Sequence, residues 1–174
     1  MSDNLALVSA DRRELAINDL LESCLAELSQ AASLAQVRTL RDKAEFFLHM
    51  ARQLDLSREA QNKAAEFKLR TERQAGQMLA EVERDVGGRP EKNSLQPVTS
   101  YAKALDELNT TRVTAHRWQV EASVPEEQFE QHVADATASG GELTSAGLYR
   151  IAQIHEKQSK AQIPPPFKYC SVTN

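Results

Sequence analysis

The stretch Ser100-Tyr101-Ala102-Lys103-Ala104-Leu105-Asp106-Glu107-Leu108-Asn109-Thr110-Thr111-Arg112-Val113-Thr114-Ala115-His116-Arg117-Trp118 has the proportions of a helix-turn-helix. Tyr101, Ala104, Leu105 and Leu108 recur at the spacing of one buried helical face. Asn109 follows, the non-glycine residue that best tolerates a left-handed backbone, and Thr110 or Thr111 can cap a second helix. In that second helix, 111–123, Ala115, Trp118 and Ala122 share a face that should pack on the first helix. The opposite face presents Thr111, Arg112, Thr114, His116 and Arg117, hydroxyls and forked donors of the kinds that reach phosphates and base edges in a DNA major groove.

Helical periodicity continues on both sides. Downstream, residues 125–138 begin with Pro125, Glu126 and Glu127, which suit a helix start, and 145–157 follow Thr144, a cap. Upstream, residues 11–30 carry a stripe of Leu15, Ile17, Leu20, Leu21, Cys24, Leu25 and Leu28. A second helix opens at Ser33 and Gln36, in capping-box spacing, and runs to Leu54. A third extends from Ser57 to about Arg84, with Ala60, Ala64, Phe67, Thr71, Ala75, Met78 and Val82 on one face whose small residues admit a close helix. No strand-like alternation is present. The spacing therefore predicts an all-α chain: an N-terminal long-helix bundle or hairpin over 10–85, a linker over 86–97, a small helix-turn-helix domain over 98–157 and a flexible, proline-rich tail over 158–174.

Composition excludes several classes. Among 174 residues, 41% are apolar and only 5% aromatic, so the core is aliphatic. The net charge of −4 is unlike that of proteins that coat nucleic acid by charge alone, and residues 98–174 themselves carry 7 basic and 9 acidic side chains. Any DNA contact is local and sensitive to salt. Cys24 and Cys170 form no CxxC pair, so neither a disulfide framework nor a cysteine-built zinc site is expected. No signal-peptide pattern or long apolar run is evident, which points to a cytoplasmic protein without membrane association.

No enzyme is expected. There is no GxGxxG or GxxxxGK[ST] motif to cradle phosphate, and Gly87-Gly88 stands in the linker. His49, His116, His132 and His155 are scattered without metal-ligand spacing. Glu59 with Lys63 and Glu66 with Arg70 have the i,i+4 spacing of a solvated helix face. No catalytic residue, metal, cofactor or small-molecule substrate is indicated. Gly88-Arg89-Pro90 echoes an AT-hook core, making Arg89 a possible minor-groove arm, although Gly87 replaces the usual preceding arginine and a plain linker is the favoured alternative.

The segment from Ser100 to about Ile154 resembles the DNA-binding part of ParB/KorB-type partition and repressor proteins. The resemblance is carried by the helix-turn-helix, by Ala122-Ser123-Val124-Pro125-Glu126-Glu127-Gln128-Phe129 and by Gly141-Glu142-Leu143-Thr144-Ser145-Ala146-Gly147-Leu148. It implies that the later helices brace a reader helix. The arginine-rich nucleotide-binding motif of ParB proteins is missing, so CTP binding and sliding on DNA are not implied. Leu40-Arg41-Asp42-Lys43-Ala44-Glu45, Ala60-Gln61-Asn62-Lys63-Ala64-Ala65-Glu66, the run from Lys68-Leu69-Arg70 to Gly76, and Gly87-Gly88-Arg89-Pro90 resemble a family of uncharacterised proteins of phages and integrative elements. Together these imply a sequence-specific regulator of a phage or mobile element that binds double-stranded DNA. A single helix-turn-helix reads few base pairs, so a homo-oligomer joined by the N-terminal helices, coiled-coil fashion, is expected. The alternatives are a protein–protein interaction module that does not bind DNA, and an accessory subunit of a DNA-modifying enzyme.

Overall fold

A computed structural model describes residues 2–82 and 100–161, with side chains from 12–82 and 100–158. The linker over 86–97, Arg89 within it, and residues 162–174 of the tail lie outside the described residues. The described chain is all-helical, in the order α1 (Ser2–Ser29), α2 (Leu34–Gln53), α3 (Arg58–Glu81), α4 (Ser100–Glu107), α5 (Arg112–Ala122), α6 (Glu126–Ser139) and α7 (Ser145–Ala161). None of these helices is long and apolar enough to cross a membrane.

Two ends run past expectation. α1 starts at Ser2 rather than near residue 11, because no glycine or proline interrupts residues 2–10. α7 continues to Ala161, four residues into the stretch read as tail, since no helix breaker occurs before the prolines at 164–166.

α3 ends at Glu81, three residues short of expectation, where Val82 is extended. Caps explain several of the other ends. Ser33 and Gln36 form the full capping box of α2. α2 stops where Asp55 takes a left-handed φ of 49°; its N–H donates to the Arg52 carbonyl and the Leu56 N–H to that of Ala51, a Schellman closure. The turn after α4 repeats this geometry. Asn109 sits at φ 48°, its N–H donating to Asp106 and the Thr110 N–H to Leu105. Gly140, at φ 62°, ends α6.

α3 is the central helix. On one side Ala60, Ala64 and Phe67 close a core with Leu21, Cys24 and Leu28 of α1 and Leu40, Ala44, Phe47 and Ala51 of α2. On another, Ala75 and Leu79 pack with Val37, with Ala104, Leu105 and Leu108, and with Ala115 and Trp118 of α5. On a third, Ala65 and Leu69 meet Val124, Phe129, Leu143, Leu148 and Ala152. Two of the three cores thus draw on residues from both sides of segment 83–99.

Candidate nucleic-acid interface

The site is built on α5. Thr111 caps it in extended conformation, its hydroxyl accepting the Thr114 N–H at 3.2 Å. The buried side of α5 is Ala115, Trp118 and Glu121. Ala122, expected on the same face, is only half-buried. Ala115 and Trp118, expected to pack on the first helix of the pair, lie chiefly against α3, in a core that also holds Ala104 and Leu105 of α4. Gly76 of α3 makes that approach possible: a Cβ there would overlap the Trp118 carbonyl and come within 2.9 Å of the Gln119 nitrogen. The backbones of the two helices are in direct contact.

Polar side chains fix the angle and the turn. Arg41 of α2 is buried, donates from Nη1 to the Leu108 carbonyl at 2.9 Å and lays its guanidinium 5.4 Å from the Trp118 ring centre. Arg38 donates to the Glu107 carbonyl at 3.2 Å. These two arginines complement the negative end of α4, where the last carbonyls lack helical partners. Behind α5, the buried Glu72 accepts hydrogen bonds from the Trp118 side chain and from Ser145 Oγ, the latter at 3.3 Å. Asn62 spans to the loop before α7, donating to the Gly141 carbonyl at 2.8 Å and accepting the Leu143 N–H at 3.0 Å. Arg70 and Arg73 flank the Phe129 ring at 5.0 and 4.3 Å and reach Glu126. Arg70 was expected only to pair with Glu66 on a solvated face; it keeps that pair and also joins α3 to α6 through Glu130 at 2.6 Å.

All five sequence-predicted residues lie on α5 or its cap. Thr111, Arg112, His116 and Arg117 are exposed and Thr114 is half-buried. They are not equally available. The Thr111 and Thr114 hydroxyls lie 3.0 Å apart and bond to each other. Arg117 donates from Nε to Glu121 at 3.2 Å and stacks 5.5 Å from the Tyr149 ring centre, with 47% of its side chain exposed. The Arg112 and His116 side chains make no hydrogen bond or ion pair with another described residue.

Two buried carboxylates, Glu72 and Glu121, lie beneath this face. The Glu121 carboxyl is fully buried, its Oε2 has no partner among the described residues, and burial with the nearby Glu72 charge pushes its pKa up to about 7 against the pull of Arg117. Burial also raises Glu72, opposed by Lys68 and by the Ser145 and Trp118 hydrogen bonds. The sequence reading missed Gly76, Arg41, Glu72 and Glu121. Gly76 alone carried a local signal, since a glycine inside a helical pattern marks a close approach. Among the described residues no group of His, Cys, Asp and Glu is arranged to hold a metal ion. Comparison with known proteins returned no matching family model and no significant match to a curated protein or a solved structure.

Proposed function

We propose that the protein is a sequence-specific DNA-binding regulator of a phage or mobile genetic element, reading double-stranded DNA with helix 111–123 as the second helix of a helix-turn-helix. The observation that carries this reading is the exposed side of α5. Arg112 and His116 project from it without a protein partner, while the other side is pinned by Gly76, Trp118 and Arg41. A reader helix must be rigid and present free donors, and a helix of ordinary diameter fits the major groove. Arg117 keeps its terminal nitrogens for phosphate or guanine, its Nε being committed to Glu121.

We further place self-association on the N-terminal helices, where Leu15 and Leu20 of α1 stay exposed. A dimer doubles the contacts that a module of net acidic character needs. The test is a fluorescence anisotropy titration of the whole protein, at low and physiological salt, against labelled tiled fragments flanking its own gene. One fragment bound at both salts, and lost in Arg112→Ala/Arg117→Ala, is the expected result. No binding to any fragment overturns the reading in favour of a protein-docking module. A mass in light scattering that stays monomeric at all concentrations removes the dimer.

A further inference from the structure

Val113 belongs to none of the three cores, and 81% of its surface is exposed, more than any other exposed large hydrophobic residue among those described. At about 100° per residue, Arg112, His116, Val113 and Arg117 fall in that order within an arc of roughly 140° on α5. The helix gains nothing locally from this choice, since a β-branched residue has lower helix propensity than alanine or a straight-chain polar residue. The neighbouring hydroxyls of Thr111 and Thr114 are occupied with each other. What the exposed face offers is therefore one stiff isopropyl group set between cationic or hydrogen-bonding side chains.

A protein partner would call for a continuous apolar patch, and phosphate alone would need no isopropyl group. The DNA major groove matches both features: its base edges carry acceptors and pyrimidine 5-methyl groups, and its walls carry phosphates. We propose that Val113 is a specificity-determining residue that packs on the 5-methyl group of a pyrimidine in the major groove, with Arg112 and His116 engaging the flanking acceptors or phosphates. This rests on the reading of α5 as the DNA-contacting helix. The 5-methyl group belongs to thymine and equally to 5-methylcytosine.

The experiment uses the full-length protein to select from two random duplex pools, one ordinary and one with 5-methylcytosine replacing cytosine. The enriched duplexes are then remade with uracil for each thymine, or cytosine for each 5-methylcytosine, in turn. At one position, loss of the methyl is expected to weaken the wild type about fourfold, the effect of one buried methyl or methylene group. Val113→Ala, shown to be folded by its thermal transition, should bind the methylated and unmethylated duplexes alike while keeping its preferences elsewhere. Val113→Thr, which retains a methyl, should keep the discrimination. The arm in which the sensitive position appears identifies the base. A selected motif bound equally with and without every methyl, or full methyl discrimination retained by Val113→Ala, overturns this inference and leaves the DNA reading standing. No motif enriched from either pool overturns both.

Discussion

Gly76 lies directly against the carbonyl of Trp118, so that α3 and α5 touch backbone to backbone where a side chain would otherwise separate them. Glycine inside a helix is about 1 kcal/mol worse than alanine, and at an open position Gly→Ala would stabilise. Here the added methyl would meet the backbone of Trp118 and Gln119, which cannot rotate away. Gly76→Ala should therefore be net destabilising, by about 1–3 kcal/mol, and lower the melting temperature by several degrees. A urea titration with unchanged slope and a lower midpoint checks this. A gain in stability would mean that the two helices are free to separate.

The buried carboxyl of Glu121 sets a pH dependence of definite sign. Its folded pKa, about 7, lies above the ordinary 4.5, so between those values the folded protein binds more protons than the unfolded chain. Its contribution is fully present below pH 4.5 and is lost as pH rises through 7. Relative to Glu121→Gln, the wild type should lose stability between pH 5 and pH 8, the variant being the more stable at pH 8 by about 3 kcal/mol at most. Burial lowers the His132 pKa and acts in the opposite sense in both proteins, so the difference isolates Glu121. Scanning calorimetry of both proteins across this range decides it. Equal pH dependence in the two proteins would refute the argument.

Arg41 carries the turn between α4 and α5. Its bond to the Leu108 carbonyl is buried and charge-assisted, and the same guanidinium lies over Trp118. Arg41→Met keeps much of the side-chain volume but leaves that carbonyl without its donor, at an expected cost of about 1.5–3 kcal/mol. The loss should be local before it is global. Hydrogen exchange at the Asn109 and Thr110 amides should accelerate more than at Leu69 in the centre of α3. Equal acceleration everywhere would show that Arg41 supports the whole core rather than the turn.

The helices, most of their ends and the left-handed Asn109 were legible because they are local: periodicity, capping residues and turn chemistry act over a few positions. The role of α3 was not. Only the first part of its stripe, Ala60, Ala64 and Phe67, faces α1 and α2; Ala75 turns to the core shared with α5, and Ala65, Leu69 and Leu79 are also buried, as are Asn62, Glu72 and Arg73. A helix surrounded on several sides hides polar residues by pairing them with distant segments, such as Asn62 with residues 141–143 and Arg73 with Glu126. Apolar spacing cannot report such pairs. The exposed face of α5 was readable for the converse reason, since what lies there is whatever the Trp118 face leaves over.

Arg112 and Arg117 look equivalent in the sequence and should behave differently when replaced. The Arg112 side chain makes no ion pair or hydrogen bond with a described residue, so Arg112→Ala should leave stability within about 0.5 kcal/mol of the parent and act on DNA binding alone. Arg117 is a cationic neighbour of the buried Glu121, and its charge holds that carboxyl down. Removing it should push the Glu121 pKa further up, lower stability at pH 8 and shift the stability profile toward higher pH. In Arg117→Ala/Glu121→Gln the buried charge is gone, so stability at pH 8 should recover while any DNA-binding defect of Arg117→Ala persists. Melting curves at pH 6 and pH 8 for the two single variants and the double variant separate the roles. If Arg117→Ala melts as the parent does at both pH values, the Arg117–Glu121 pair contributes nothing to folding.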